Sequence, residues 1–187
     1  MNRIRKFIRL KDLITYLFLV VVVLVAVPSV RFLIVGSIFF GFGLLIQILA
    51  AGTMVQFGDI VTGGIYQMTR NPLYFGGLFA GLGLSLMSAD PVMILLYIII
   101  FFPLLNTIIN LEENYLADAF GRDFKAYKSK VPRLFPTTGA PPGLGVNFSF
   151  KRYFKNPELI GNVATVILAV LLWMKYIYSI PSIFHIR

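Results

Sequence analysis

Five stretches of this chain are apolar for about the length needed to cross a bilayer: Leu13–Val30, Phe32–Ala51, Pro72–Ala89, Pro91–Asn110 and Leu159–Ile180. A helix needs about 20 mostly apolar residues to cross the ~30 Å hydrocarbon layer. No water is available there for backbone N–H and C=O groups, so such segments satisfy them internally, as helices. The expected fold is therefore all-α, a polytopic membrane helical bundle of about five transmembrane helices with one cytoplasmic amphipathic helix. Composition agrees. The chain is 58% hydrophobic and 13% charged, whereas soluble domains run near 45–50% and 25%. A water-soluble globule and a disordered chain are both excluded on that ground. The absence of cysteine removes disulfide scaffolds, thiolate chemistry and Cys-based metal sites.

The connectors Pro28-Ser29-Val30-Arg31 and Ala89-Asp90-Pro91 are short, so spans one and two, and spans three and four, form antiparallel hairpins. Basic residues set the orientation. With the N-terminus inside, Arg31, Lys175 and Arg187 are the only ones of the 17 Lys and Arg that fall outside. This is the bias that cytoplasmic segments carry. The N-terminal basic patch before an apolar run also fits a signal peptide, but no small-x-small site follows Val27, so the run reads as an anchor. The net charge of +9 falls where topology requires it and is read as topology, not as a nucleic-acid surface. The chain divides as one membrane domain, 1–187. It has an N-terminal hairpin (1–51), a core (52–136) with hairpin 72–110 and amphipathic helix 111–130, a cytoplasmic loop (137–157), and a last span with a short tail (158–187).

Two inner segments carry most of the unusual chemistry. The first runs from Gln56 to Gly76 and contains Asp59, Gly64-Ile-Tyr66 and Arg70-Asn-Pro-Leu-Tyr74. Each part has a plain structural reading. Asn71-Pro72 suits an N-cap and first helical turn. Arg70 suits an interfacial charge. Gly77 and Gly81, with Gly76 and Gly83, suit a helix-packing face. The second runs from Leu111 to Lys130. Leu111, Tyr115, Leu116, Ala119, Phe120, Phe124 and Tyr127 fall on one helical face, with Gly121 as a point where the helix bends or breaks. Glu112 and Glu113 follow directly on twenty apolar residues, at a depth where ionisable groups are expensive and often functional. Adjacent helix positions point about 100° apart, so one Glu faces the bundle while the other faces water. His185 lies near the C-terminus on the outer side. Thr137–Asn147 reads as a loop, and the Phe148–Lys155 aromatics and bases as an interfacial anchor.

Taken together, Gly64-Ile-Tyr66, Arg70-Asn-Pro-Leu-Tyr74-x-Gly76, then across a hairpin Glu112-Glu113-x-x-Leu116-x-x-x-Phe120-Gly121-x-x-Phe124-x-x-Tyr127 and Val131-Pro132 form a pattern. That pattern resembles the integral-membrane methyltransferases, the group that includes isoprenylcysteine carboxyl methyltransferases and phosphatidylethanolamine N-methyltransferases. The resemblance covers residues 56 to 136. It implies S-adenosylmethionine as cofactor, bound at the inner ends of spans three and four. The cofactor contacts it implies are Gln56, Ile60, Val61, Tyr66, Asn71, Pro72, Leu73, Tyr74 and Glu112, with Glu112, Glu113 and Arg70 as catalytic candidates. The implied partner is a lipophilic substrate from the bilayer. Two departures favour a phospholipid amine over an isoprenylcysteine carboxylate: Asn71 stands where the carboxyl enzymes have His, and Ile108 stands where they place an arginine for the substrate carboxylate. Two alternatives stay open. One is an NADPH-dependent sterol-type membrane reductase, which shares a related motif. The other is a non-enzymatic membrane scaffold.

Overall fold

The computed structural model describes residues 2–54, 60–136 and 148–178. Gln56, Asp59, His185 and the Thr137–Asn147 loop lie outside the described residues. The elements are α1 (Asn2–Val25), α2 (Val30–Thr53), one 3-10 turn (Gly64–Gln67), α3 (Pro72–Met87), α4 (Pro91–Lys130), the short α5 (Phe150–Lys155) and α6 (Glu158–Ile177). The fold is an all-α membrane bundle. Among the described residues, α2, α4 and α6 are individually long and apolar enough to cross a membrane, and α3 is apolar but shorter. The first predicted span ends early. Its helix stops at Val25, ahead of Pro28, and its first half carries Lys11 and Asp12. The outward side chains of the helices, such as Leu17, Ile38, Leu95, Ile99 and Ile167, are apolar and exposed, as lipid contact requires.

Two ends of the bundle can be told apart by their hydrogen bonds. At one end the two hairpin turns meet, where the Val27 N–H donates to the Ser88 carbonyl at 3.0 Å. Asp90 caps α4 there, accepting from Val92 N at 2.7 Å. Lys175 of α6 reaches the same end and donates to the Val23 and Leu24 carbonyls that close α1. At the opposite end, Arg152 donates to the Gly52 carbonyl at 2.9 Å and Asn156 to that of Ala51. This ties α5 and the start of α6 to the end of α2. The core between the ends is built from Phe18, Val22, Leu33, Phe40, Leu84, Met87, Tyr97, Phe101 and Leu172.

Small residues set the closest contact. Gly36 and Gly43 of α2 face Gly83, Gly76 and Ala80 of α3 so closely that a Cβ at Gly43 would collide with α3 backbone. Lipid tails are as apolar as leucine, so helix association in a membrane relies on this kind of close packing. Gly81 faces α4 instead, against the Tyr97 ring, and the Tyr97 hydroxyl donates to the Gly77 and Leu78 carbonyls at 3.1 Å. The segment read as an amphipathic helix at 111–130 is continuous with the fourth span. The backbone departs from helix at Gly121, with φ 50° and ψ −111°, a region that side chains other than glycine's rarely enter.

Candidate active site

The loop before α3 and the polar half of α4 are held together by one buried ion pair. Glu113 is 5% exposed. Its Oε1 accepts from Arg70 Nε at 3.0 Å and from Asn71 Nδ2 at 3.2 Å, while Arg70 Nη2 lies 2.9 Å from the same oxygen. Lys128 Nζ pairs with Oε2 at 3.1 Å. Arg70 has donors left over, and Nη1 uses them on the Lys128 and Val131 carbonyls at 3.0 and 2.7 Å. The Arg70 backbone N–H donates to the Pro132 carbonyl at 2.9 Å. Burial alone would raise the Glu113 pKa, but hydrogen bonds from Lys128, Arg70 and Asn71 and the Arg70 charge outweigh it and hold it below the usual range. Asn71 opens α3 without capping it through its side chain. The amide donates to Glu113 and to the Arg133 carbonyl, at 2.8 Å, instead.

The bend at Gly121 brings Phe124 and Tyr127 under the same loop. The Tyr127 hydroxyl donates to the Tyr66 carbonyl at 2.6 Å and fixes the 3-10 turn. Arg133 ties the following segment back to α4, donating to the Asn106 and Asn110 side-chain oxygens at 2.7 Å.

Above this clamp lies a cavity of about 1010 Å³. Glu112, one position before Glu113, lines it and accepts from the Tyr74 hydroxyl at 2.6 Å. Burial raises its pKa, with the Tyr74 hydrogen bond and the Lys11 charge opposing and Glu158 adding to the rise. Tyr66 also lines the cavity, and its hydroxyl is buried with no hydrogen-bond partner. An unpartnered buried hydroxyl costs free energy unless a ligand or water satisfies it.

Ile60, Val61, Tyr66, Asn71, Leu73, Tyr74 and Glu112 thus converge on one space, and Arg70 and Glu113 also line it. Pro72 does not line it. It is fully buried as the first residue of α3. Ile108 is buried too, and is not among the residues that line the cavity. Sequence reasoning missed the walls that α1, the α5–α6 link and α6 supply, namely Lys11, Asp12, Asn156, Glu158 and Asn162. One signal was available: Asn156-Pro157-Glu158 repeats at α6 the Asn-Pro start of α3, and Asn156 Oδ1 accepts from Glu158 N at 3.0 Å.

Fold and site define an integral-membrane helical protein with a carboxylate- and tyrosine-lined cavity at one end of its bundle. The family model for phospholipid methyltransferases matches residues 31–123. This chain, of which the match covers just under half, is similar to the integral-membrane methyltransferase group. It is 32% identical over 77 residues to protein-S-isoprenylcysteine O-methyltransferase B of Arabidopsis thaliana, covering 41% of this chain and 39% of that one. It is 32% identical over 111 residues to protein-S-isoprenylcysteine O-methyltransferase of Schizosaccharomyces pombe, covering 51% and 47%. The Saccharomyces cerevisiae protein of that name is 29% identical over 72 residues, covering 38% and 30%. The match therefore spans less than half the length of each of these relatives. No solved structure matches the chain significantly.

Proposed function

We propose that this chain transfers a methyl group from S-adenosylmethionine to a lipophilic acceptor taken from the bilayer. One observation carries the reading. A single cavity has Glu112, Tyr74 and the partnerless Tyr66 hydroxyl at its polar end, and Phe18, Leu84 and Phe101 at its apolar end. Its volume of about 1010 Å³ stands at the upper end of the ~300–1,000 Å³ of small-molecule sites, which leaves room for two ligands. The residues that would hold the cofactor are Ile60, Val61, Tyr66, Asn71, Leu73, Tyr74 and Glu112. Pro72 starts the helix that presents Leu73 and Tyr74, and Gln56 is assigned by resemblance alone.

When bound, S-adenosylmethionine supplies an electrophilic methyl group on a positively charged sulfur. Glu112 offers that charge a carboxylate, and Tyr66 and Tyr74 offer it aromatic faces. The raised pKa of Glu112 also makes it a stronger base toward the proton of an amine acceptor. Arg70 and Glu113 act differently. Their polar atoms are taken up by each other and by the loop carbonyls, which supports a positioning role beneath the cavity in place of a catalytic one.

The distribution of Lys and Arg supports a cytoplasmic N-terminus and cofactor site. The family model is described for phospholipid acceptors and the named relatives for isoprenylcysteine, so either head group is a candidate acceptor. The reductase alternative lacks support, because among the described residues the two basic ones that line the cavity, Lys11 and Arg70, are both engaged with carboxylates. Labelled methyl transfer to a phosphatidylethanolamine and to a prenylated cysteine tests the reading. Incorporation into either one upholds it, and incorporation into neither, with cofactor bound, overturns it.

A further inference from the structure

The family match runs from Arg31 to Asp123, so the side chains that α1 and α6 bring to the cavity lie outside it. Several of them are charged. Lys11 Nζ lies 3.1 Å from Asp12 Oδ1, and these two offset each other. Arg70 is likewise offset by Glu113. Two cavity-lining carboxylates remain, Glu112 and Glu158, and among the described residues no ion pair within 4.0 Å reaches either one. Glu158 sits half-buried in the first turn of α6, across the cavity from Glu112. Burial raises the Glu112 and Tyr66 pKa values, and the Glu158 charge adds to both shifts.

Tyr66 supplies an independent mark of a ligand. It is 7% exposed, and its hydroxyl has no partner. Two carboxylates around a partnerless hydroxyl favour occupants that bring two positive charges, since half-buried charges gain most from a paired opposite charge. The sulfonium donor accounts for one.

We propose that Glu158 selects the acceptor head group, admitting an amine-bearing lipid head and disfavouring a carboxylate-bearing one. The inference rests on the methyltransferase reading and adds the acceptor class to it. With an ammonium and a sulfonium present, each of the two carboxylates meets one positive charge, whereas a carboxylate acceptor would place a third negative charge beside them.

The test is equilibrium binding to this chain, solubilised in detergent and loaded with a cofactor analogue in which a protonated amine stands in for the sulfonium, with S-adenosylhomocysteine affinity measured alongside. A short-chain phosphatidylethanolamine supplies the amine head and N-acetyl-S-farnesylcysteine the carboxylate head. The wild-type protein is expected to favour the amine probe by roughly tenfold or more, the size of one modest charge interaction. Glu158→Gln is expected to bring the two affinities within about threefold, and Glu158→Lys to reverse the order, with S-adenosylhomocysteine affinity nearly unchanged in both. Retained S-adenosylhomocysteine binding also certifies the fold, and if Glu158→Lys does not fold, Glu158→Gln decides. A wild-type preference for the carboxylate probe, or an unchanged preference in Glu158→Gln, overturns the inference and leaves the methyltransferase reading standing. A loss of S-adenosylhomocysteine affinity in Glu158→Gln overturns it too, because Glu158 would then belong to the cofactor's wall. Failure of the wild-type protein to bind S-adenosylhomocysteine overturns both readings.

Discussion

Glu112 and Glu113 are neighbours in the chain and have opposite environments. Helix geometry turns them about 100° apart, so Glu113 enters the Arg70 clamp while Glu112 faces the cavity. Their substitutions should separate accordingly. Glu113→Gln leaves Arg70 buried and unpaired, and should lower stability by about 3 kcal/mol, read as a fall in thermal midpoint. The pH sign follows from the lowered Glu113 pKa. The clamp contributes fully above the ordinary carboxylate pKa of about 4.3, and its contribution is lost as pH falls through the lower folded value. Thermal midpoints measured downward from pH 6 should therefore fall for the wild-type protein and stay flatter for Glu113→Gln. Glu112→Gln should leave the thermal midpoint nearly unchanged. Methyl transfer by the wild-type protein should rise with pH through a midpoint above the ordinary carboxylate value, because the raised pKa keeps Glu112 protonated further up the scale. A pH profile unaffected by Glu112→Gln would contradict its proposed role as proton acceptor.

At the scale of elements, α4 depends on one glycine. The Gly121 backbone stands at φ 50°, and an added Cβ would meet nothing, so the requirement there is conformational and not one of space. Gly121→Ala should cost on the order of 1–3 kcal/mol and loosen the Tyr127–Tyr66 hydrogen bond that fixes the 3-10 turn. At Gly43 the limit is space. Gly43→Ala drives a methyl into α3 backbone and should cost a further 1–3 kcal/mol, roughly, measured by unfolding in detergent. Both glycines stood out unequally in the sequence. The bend at Gly121 was readable because it interrupts an amphipathic run. The α2 partner of the small-residue face was not, because Gly36 and Gly43 are spaced seven apart on a helix that is apolar all round. Asn71 misled for a related reason. Its place before a proline reads as a cap, and only the three-dimensional approach of α4 turns its amide toward Glu113.

Over the whole molecule, the apolar runs and their separating charges made the bundle legible, because bilayer thickness imposes a length that sequence displays directly. The local part of the site was legible as well: Tyr66 to Tyr74 and Glu112 lie close to helix starts and ends whose residue types are unusual. The remote walls were not. Lys11 and Glu158 lie 147 positions apart, and each has an ordinary role near a membrane interface that hides its place at the cavity. The central claim, that this cavity is a methyl-donor site, is tested most directly by calorimetric titration of the detergent-purified protein with S-adenosylhomocysteine, with NADPH in parallel. Micromolar binding of S-adenosylhomocysteine is expected, with no binding of NADPH, and the affinity for S-adenosylmethionine, whose sulfonium carries the positive charge, should fall about tenfold or more in Glu112→Gln. Binding of NADPH alone, or an S-adenosylmethionine affinity that Glu112→Gln leaves unchanged, would contradict that assignment.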